Sequence, residues 1–282
     1  MIDVLTGSFA TPKWLLWPPR SLRVVDWNIE RGLKFGRILE FLAAQDADVL
    51  TLQEVDIGAR RSGLRNVAED LARGLQMYYA FGCEFQELAQ GSRSLPAYTG
   101  QATLSRWPIR DARVINFRQQ SRFWTPKWYR PNLALFQERL GGRIALFTKI
   151  DLPNRQLAVF NVHLESRGDD AMRLSQLKET FSAAECYAAQ GAVIVAGDMN
   201  LDISEPGAAA MIRDAGFRDA VCLPRASTTP RKGLLNPGRS IDAILARNVP
   251  QSRDGRVYPR VHASDHYPVC CSLVLQHTGL FF

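Results

Sequence analysis

Apolar residues recur along the chain in short, often β-branched runs separated by polar turns. Leu22–Asp26, Asp48–Leu52, Ala102–Leu104, Arg143–Ile150, Leu157–Val162, Ala192–Ala196, Ile241–Leu245 and Val269–Leu275 read as strands. Several alternate, as a sheet with one covered face requires. Helical spacing falls between some of them. Gly36–Gln45 carries Ile38, Leu39, Phe41 and Leu42 and stops before Asp46. Asp169–Gln190 is the clearest helix, because Leu174, Leu177, Phe181 and Ala184 step by three, four and three along one face. Two aspartates at its start suit the helix dipole, and Gly191 can end it. Asp202–Ala215 is a third, less regular pattern.

Many strands with a few long helices spread through the chain predict an α/β protein of two packed sheets covered by helices. No repeat, low-complexity tract, linker or shift in composition divides residues 1–282, so one domain is expected. The 282 residues are 46% hydrophobic and 22% charged, ordinary for a globular chain with a sizeable core. No apolar run approaches the roughly 20 residues of a membrane-spanning helix. The start, Met-Ile-Asp, lacks a basic leader, and Trp14-Leu15-Leu16-Trp17 is too short for a secretory signal. The expected setting is cytoplasmic, with secretion left open if a leader has been removed. The Trp-Leu-Leu-Trp-Pro-Pro patch is expected to pack on the domain. Cys83, Cys186, Cys222, Cys270 and Cys271 form no disulfide framework: the count is odd, one pair is adjacent, and no CxxC occurs.

The chemistry gathers where apolar strands stop. One ends Val24-Val25-Asp26-Trp27-Asn28-Ile29-Glu30, and the next ends Leu50-Thr51-Leu52-Gln53-Glu54. A third ends Asn161-Val162-His163-Leu164-Glu165, and a fourth ends Ala196-Gly197-Asp198-Met199-Asn200. Ser240-Ile241-Asp242 and Ala263-Ser264-Asp265-His266-Tyr267-Pro268-Val269 complete the set. Asp198 and Asn200, two apart on an extended segment, can point the same way. Each motif alone reads more readily as an ordinary turn or solvated loop, since Asp and Asn bond locally to backbone.

Together, and in this order, they resemble the endonuclease/exonuclease/phosphatase superfamily. The stretch Gly100-Gln101-Ala102-Thr103-Leu104-Ser105-Arg106-Trp107-Pro108-Ile109 also looks like a segment of that family. The resemblance spans about residues 22–275. It implies an α/β fold, a four-layer α/β/β/α sandwich with two mixed central sheets, and a site at one end of the strands. It implies a phosphoester hydrolase dependent on Mg²⁺ or Mn²⁺, cations that take oxygen ligands and keep water positions open. Glu54 would be the principal metal ligand, with Glu30 and Asp265 sharing the metal directly or through water. Asp198 would orient or deprotonate the attacking water, and Asn28 and Asn200 would hold a phosphoryl oxygen or the neighbouring carboxylates. His266 would contact the phosphate with Asp242 fixing its tautomer, and His163 would approach from the other side. Either Asp198 or His266 could accept the proton. Arg139 resembles an arginine that some members aim at phosphate, and pairing with Glu138 or Asp151 is its alternative. No tyrosine aligns with the one that abasic-site members carry in mid-chain. His262 and His277 fall outside the motifs.

The net charge of +7 favours a polyanionic partner. Residues 117–132 hold Arg118, Arg122, Lys127 and Arg130 among Phe123, Trp124, Trp128 and Tyr129, with no acid. Cations among stacking rings suit nucleic acid, so Arg122, Trp124 and Arg130 are candidate substrate contacts. The same mixture suits an anionic phospholipid surface, or rings folded back onto the sheet. A second acid-free stretch, between Ala220 and Ile241, carries Arg225, Arg231, Lys232 and Arg239 and is expected to hang beside the site. Nucleic acid is the expected partner, with phospholipid as the alternative; no protein partner is implied.

Overall fold

A computed structural model describes residues 3–10, 19–222, 226–231 and 238–275. The Trp14–Trp17 patch, Arg225, Lys232 and His277 lie outside the described residues. The strands in chain order are β1 (Val4–Ser8), β2 (Ser21–Asn28), β3 (Val49–Ile57), β4 (Tyr78–Glu87), β5 (Tyr98–Ser105), β6 (Ile109–Asn116) and β7 (Arg139–Gly141). They continue with β8 (Ile144–Leu152), β9 (Arg155–His163), β10 (Ala192–Asp198), β11 (Arg218–Asp219), β12 (Asp242–Arg247), β13 (Gln251–Val257) and β14 (Val269–Val274). The helices are α1 (Phe35–Gln45), α2 (Val67–Leu75), α3 (Asp170–Ala188) and α4 (Pro206–Asp214).

One sheet has the order β1-β4-β5-β3-β2-β14-β13, with β7 beside β4; the other runs β11-β12-β10-β9-β8-β6. Only β2 with β3 and β9 with β10 run parallel, so both sheets are mixed. Three apolar clusters define four layers. Val25, Trp27, Leu50, Leu52 and Leu104 pack outward with Ile38 and Leu42 of α1 and Leu71 of α2. Phe160, Val162, Val193, Val195 and Leu245 pack outward on the other side with Leu177 and Phe181 of α3 and Ile212 of α4. Leu22, Val24, Val49, Leu157, Val159, Ile194, Ala196, Ile244, Cys271 and Leu273 fill the space between the sheets. The α/β/β/α sandwich expected from the motifs is the observed fold.

Period-two alternation positions the site. In β2, Leu22 and Val24 face the other sheet, and Asp26 and Asn28 continue the same parity. Val49 and Thr51 lead in this way to Gln53, Leu157 and Val159 to Asn161 and His163, and Ile194 and Ala196 to Asp198. The intersheet layer is therefore apolar at one end and passes, on the same faces, to buried polar side chains at the other.

Local rules explain the helix ends. Asp169 accepts from the Met172 amide at 2.9 Å and starts α3, as its capping position predicts. Asp46, at φ 50°, ends α1. The third helix starts at Pro206 rather than Asp202, because Asp202 spends its carboxylate on a turn with Ser204 (2.9 Å to its amide) and proline suits a first helical turn. Strands β1, β4, β6, β7, β11 and β13 and helix α2 are additional to the expected elements. All five cysteines are free, with Cys83, Cys270 and Cys271 buried.

Candidate active site

The pairing register delivers the central residues. β10 runs parallel to β9 with Asp198 opposite His163, and antiparallel to β12 with Asp198 opposite Asp242. Gly197 makes this approach possible. Its φ is 147°, and a Cβ there would meet the Val162 carbonyl oxygen at 1.9 Å. Asp198 Oδ2 lies 3.5 Å from His163 Nε2 and 3.7 Å from His266 Nε2. The same oxygen accepts from Asn28 Nδ2 at 3.2 Å, and Oδ1 accepts from the Asn200 amide at 2.9 Å. Asn200 Nδ2 donates to the Leu164 carbonyl at 3.1 Å, closing the turn after β10 onto the turn after β9. Asn28, His163, Asp198, Asn200, Asp242 and His266 therefore converge, and all are buried.

His266 is held from both ends. Its ring Nδ1 sits 2.9 Å from Asp242 Oδ2, while its carbonyl accepts from the buried Trp27 Nε1 at 2.9 Å. Ser264 Oγ donates to the Asn28 carbonyl at 2.7 Å and accepts from the His266 amide at 3.1 Å, fastening the 264–266 loop to the end of β2. Thr228 supports Asp242: its hydroxyl accepts from the Asp242 amide at 3.2 Å and its carbonyl accepts from the Tyr267 amide at 2.6 Å. Arg239 donates to the Asn200 carbonyl at 2.8 Å, so the described part of the 220–241 stretch does border the site.

Charge follows from this packing. Burial works against a protonated His266, but Asp242 and then Asp198 outweigh it and push the imidazole up to about 10. Burial likewise opposes ionisation of Asp198, yet His266, His163 and the Asn200 and Asn28 donors hold its carboxyl below the usual carboxylate range. An imidazolium thus faces an ionised carboxylate. Beneath them, Asp26 is fully buried, and burial followed by the nearby Asp242 raises its carboxyl well above that range. Asp26 Oδ1 accepts from Thr51 Oγ1 at 2.6 Å and Gln53 Nε2 at 2.9 Å, while its Oδ2 is buried without a hydrogen-bond partner.

Two residues absent from the motifs complete the far side. Glu84 Oε2 is 3.6 Å from His163 Nδ1, and Glu84 Oε1 accepts from Arg143 at 2.8 Å. Burial opposes a charged Glu84, but Arg143 and then His163 hold it below the usual carboxylate range. Both Glu84 and Glu54 sit where the register shifts: β4 between Cys83 and Phe85, and β3 between Leu52 and Val55. Bulges of this kind re-aim side chains beside active sites. Glu54 has φ 50°, in the left-handed region that non-glycine residues seldom occupy.

Glu54 faces Arg31 at 3.4 Å, with its side chain 23% exposed. Burial pushes its carboxyl up, but Arg31, His163, Arg143 and His266 together hold it lowered and ionised. The Glu30 amide donates to Asn28 Oδ1 at 3.2 Å. Asp265 is half-buried beside His266 and adds to the positive charge on that ring. Among the described residues, the acids and histidines whose ligand atoms lie within 4.8 Å of one another are Asp198, Asp242 and His266, not Glu54, Glu30 and Asp265. Asp242 and His266 turn their facing atoms on each other. Glu54 instead meets a guanidinium, the sign of charge a cation would supply. An ionised, partly exposed carboxylate suits Mg²⁺ or Mn²⁺, cations that take oxygen ligands.

The candidate substrate contacts pair with other residues or stand exposed. Arg139 bonds Glu138 at 3.1 Å and lies 3.3 Å from Glu87, while Asp151 pairs with Arg110. Trp124 is half-buried beneath the Arg139 and Arg167 guanidinium groups, 5.4 Å from each. Arg122 and Arg130 are exposed. His262 is exposed, its carbonyl accepting from Lys34 at 2.8 Å.

A family model described as the endonuclease/exonuclease/phosphatase family matches residues 27–266. The chain belongs to this family. Membership supports a metal-dependent phosphoesterase. Among solved structures, the chain is similar to an endonuclease/exonuclease/phosphatase from Beutenbergia cavernae, with TM-score 0.66 and 20% identity over 91% of this chain and 72% of that one. It is also similar to a humanized D. rerio TDP2, with TM-score 0.62 and 17% identity over 90% of this chain and 99% of that one. A functionally unknown conserved protein from Enterococcus faecalis gives TM-score 0.62 and 17% identity over 90% of this chain and 100% of that one. No curated protein matches by sequence. Among the described residues no helix is long and apolar enough to cross a membrane.

Proposed function

We propose that the chain is a divalent-metal-dependent phosphodiesterase and that its substrate is a nucleic acid. The observation that carries the chemistry is the buried Asp198 carboxylate between two imidazoles, 3.5 Å from His163 and 3.7 Å from His266. A phosphodiester is anionic and repels hydroxide, so hydrolysis needs an ionised base beside positive charge. Asp198, held ionised, is the group to take a proton from water. His266, charged through neutral pH and fixed by Asp242, hydrogen-bonds a phosphoryl oxygen through Nε2. Asn28 and Asn200 keep the Asp198 oxygens aimed by donating to them. His163 stands on the opposite side of Asp198, where it can protonate the leaving oxygen. Held by Glu54, with Glu30 and Asp265 as the further candidate ligands, Mg²⁺ or Mn²⁺ would supply Lewis-acid neutralisation of the phosphoryl group.

Nucleic acid as substrate is supported by the net charge of +7. A phospholipid phosphodiester is the second reading, favoured by the exposed Leu133 and Leu135. Turnover of plasmid, single-stranded DNA and sphingomyelin, each with Mg²⁺ and with EDTA, tests both. The expected result is Mg²⁺-dependent cleavage of DNA that EDTA abolishes. Cleavage of sphingomyelin alone overturns the nuclease reading, and no metal-dependent cleavage of any diester overturns the chemistry.

A further inference from the structure

Residues 122–136 are unlike the rest of the surface. They carry six of the nine exposed large hydrophobic side chains among the described residues: Phe123, Trp128, Tyr129, Leu133, Leu135 and Phe136. Trp128 is 98% exposed and Leu135 86%. From Phe117 to Gln137 there is no acid, and Arg118, Arg122, Lys127 and Arg130 provide the charge. A contiguous exposed apolar patch on a folded chain marks an interaction surface.

The arm is free at its tip and fixed at its base. The Gly141 amide donates to the Trp124 carbonyl at 3.0 Å, and the Arg143 amide to Gln120 Oε1 at 2.8 Å. The Ser121 amide donates to Glu165 Oε2 at 3.1 Å, and Arg167 lies 4.1 Å over the Phe123 ring. Glu165 and Arg167 lie in the turn just after His163, and Arg143 contacts Glu84. Whatever the tip touches is therefore presented to the His163 side of the site.

We propose that this arm docks the enzyme on an anionic phospholipid surface. Trp128, Leu133, Leu135 and Phe136 enter the headgroup–acyl boundary, and Arg122, Lys127 and Arg130 meet lipid phosphates. Charge complementarity selects an anionic surface. The leucines select a lipid over a nucleic acid: a base stacks on a ring, but an exposed leucine gains only where hydrocarbon replaces water. Tryptophan beside cations is the composition of membrane-interface segments. The docking does not depend on which phosphodiester is cut.

The test uses the full chain on sedimentable vesicles of phosphatidylcholine with phosphatidylglycerol, and of phosphatidylcholine alone. Hydrolysis of bis(p-nitrophenyl) phosphate is measured in parallel. The wild type is expected to sediment with the anionic vesicles, salt-sensitively, and not with the neutral ones. Trp128→Ser with Leu135→Ser is expected to weaken partitioning by roughly tenfold or more and to leave hydrolysis of the soluble diester unchanged. Failure of the wild type to sediment overturns the proposal. So does partitioning that survives both substitutions, or loss of single-stranded oligonucleotide binding without loss of vesicle binding. Absence of soluble-diester hydrolysis in the wild type overturns the catalytic reading alone, because vesicle binding is read separately.

Discussion

The two histidines that flank Asp198 are backed by carboxylates in different ways. On the β12 side, His266 and Asp242 are in direct contact at 2.9 Å, and the ring is pushed up to about 10. On the β4 side, His163 Nδ1 stands 3.6 Å from Glu84 and is buried without a hydrogen-bond partner, while Glu84 bonds Arg143. The same residue types thus give a fixed charge on one side and a loosely tethered ring on the other. The difference suits a division of labour, with His266 stabilising negative charge and His163 moving a proton. It also shows that a carboxylate near a histidine says little until its other partners are counted.

The largest effect is expected where the two sides meet. Asp198→Ala should lower turnover at least ~10²-fold with folding intact, checked by steady-state kinetics and circular dichroism. Near-normal turnover in the folded variant would show that neither histidine serves the carboxylate. Glu84→Ala should fall mainly on stability, because it strands the buried Arg143; breaking a buried pair costs about 3–5 kcal/mol. Asp242→Asn keeps an acceptor for His266 Nδ1, so it should cost less stability than Glu84→Ala and show mainly in the pH profile. In the wild type, turnover is expected to hold through neutral pH and fall as pH rises through about 10, where His266 loses its proton. Without Asp242 that alkaline limb should move to lower pH, and an unmoved limb would detach His266 from the profile.

Asp26→Asn tests the floor under both sides. The folded-state pKa of Asp26 is raised, so burying it costs stability that grows as pH climbs above the ordinary carboxylate value. An amide keeps the bonds from Thr51 and Gln53 without that cost. The variant should melt higher at neutral pH, with the gain vanishing in acid; a gain independent of pH would contradict a raised pKa for Asp26. The smallest effect concerns the arm. Replacing Arg122 and Arg130 should flatten the salt dependence of binding to anionic vesicles, since each basic residue near such a surface adds about 1 kcal/mol. An unchanged slope removes them as phosphate contacts.

The sequence made the His266 side far more legible than the His163 side. Asp198, Asp242 and His266 lie at the ends of apolar strands or in a short ordered motif, and local pattern marks them. Glu84 lies inside β4, whose Tyr-Tyr-Ala-Phe-Gly-Cys-Glu-Phe-Gln-Glu run is buried on nearly every position and so shows no alternation to read. The one usable signal was a charge amid apolar residues. Helix α2 went unread although its start was marked: Asn66 caps it by accepting from the Glu69 amide at 3.2 Å, and Asn-x-x-Glu is a capping pattern. β13, Gln-Ser-Arg-Asp-Gly-Arg-Val, is a polar edge strand that periodicity does not distinguish from a loop. The pairing of Arg31 with Glu54 was invisible because the left-handed turn at Glu30 and Arg31 folds the chain back on itself.

The shared parity of core and chemistry restricts how this architecture can change over time. Ile194, Ala196 and Asp198 occupy alternate positions of β10, so adding or deleting one residue between them would turn the carboxylate toward α3 while also unpacking the sheets. Changes in even steps, or confined to segments such as 117–138, escape that penalty. New substrates for such a scaffold should therefore be acquired by lengthening loops, with the strands inherited as a block.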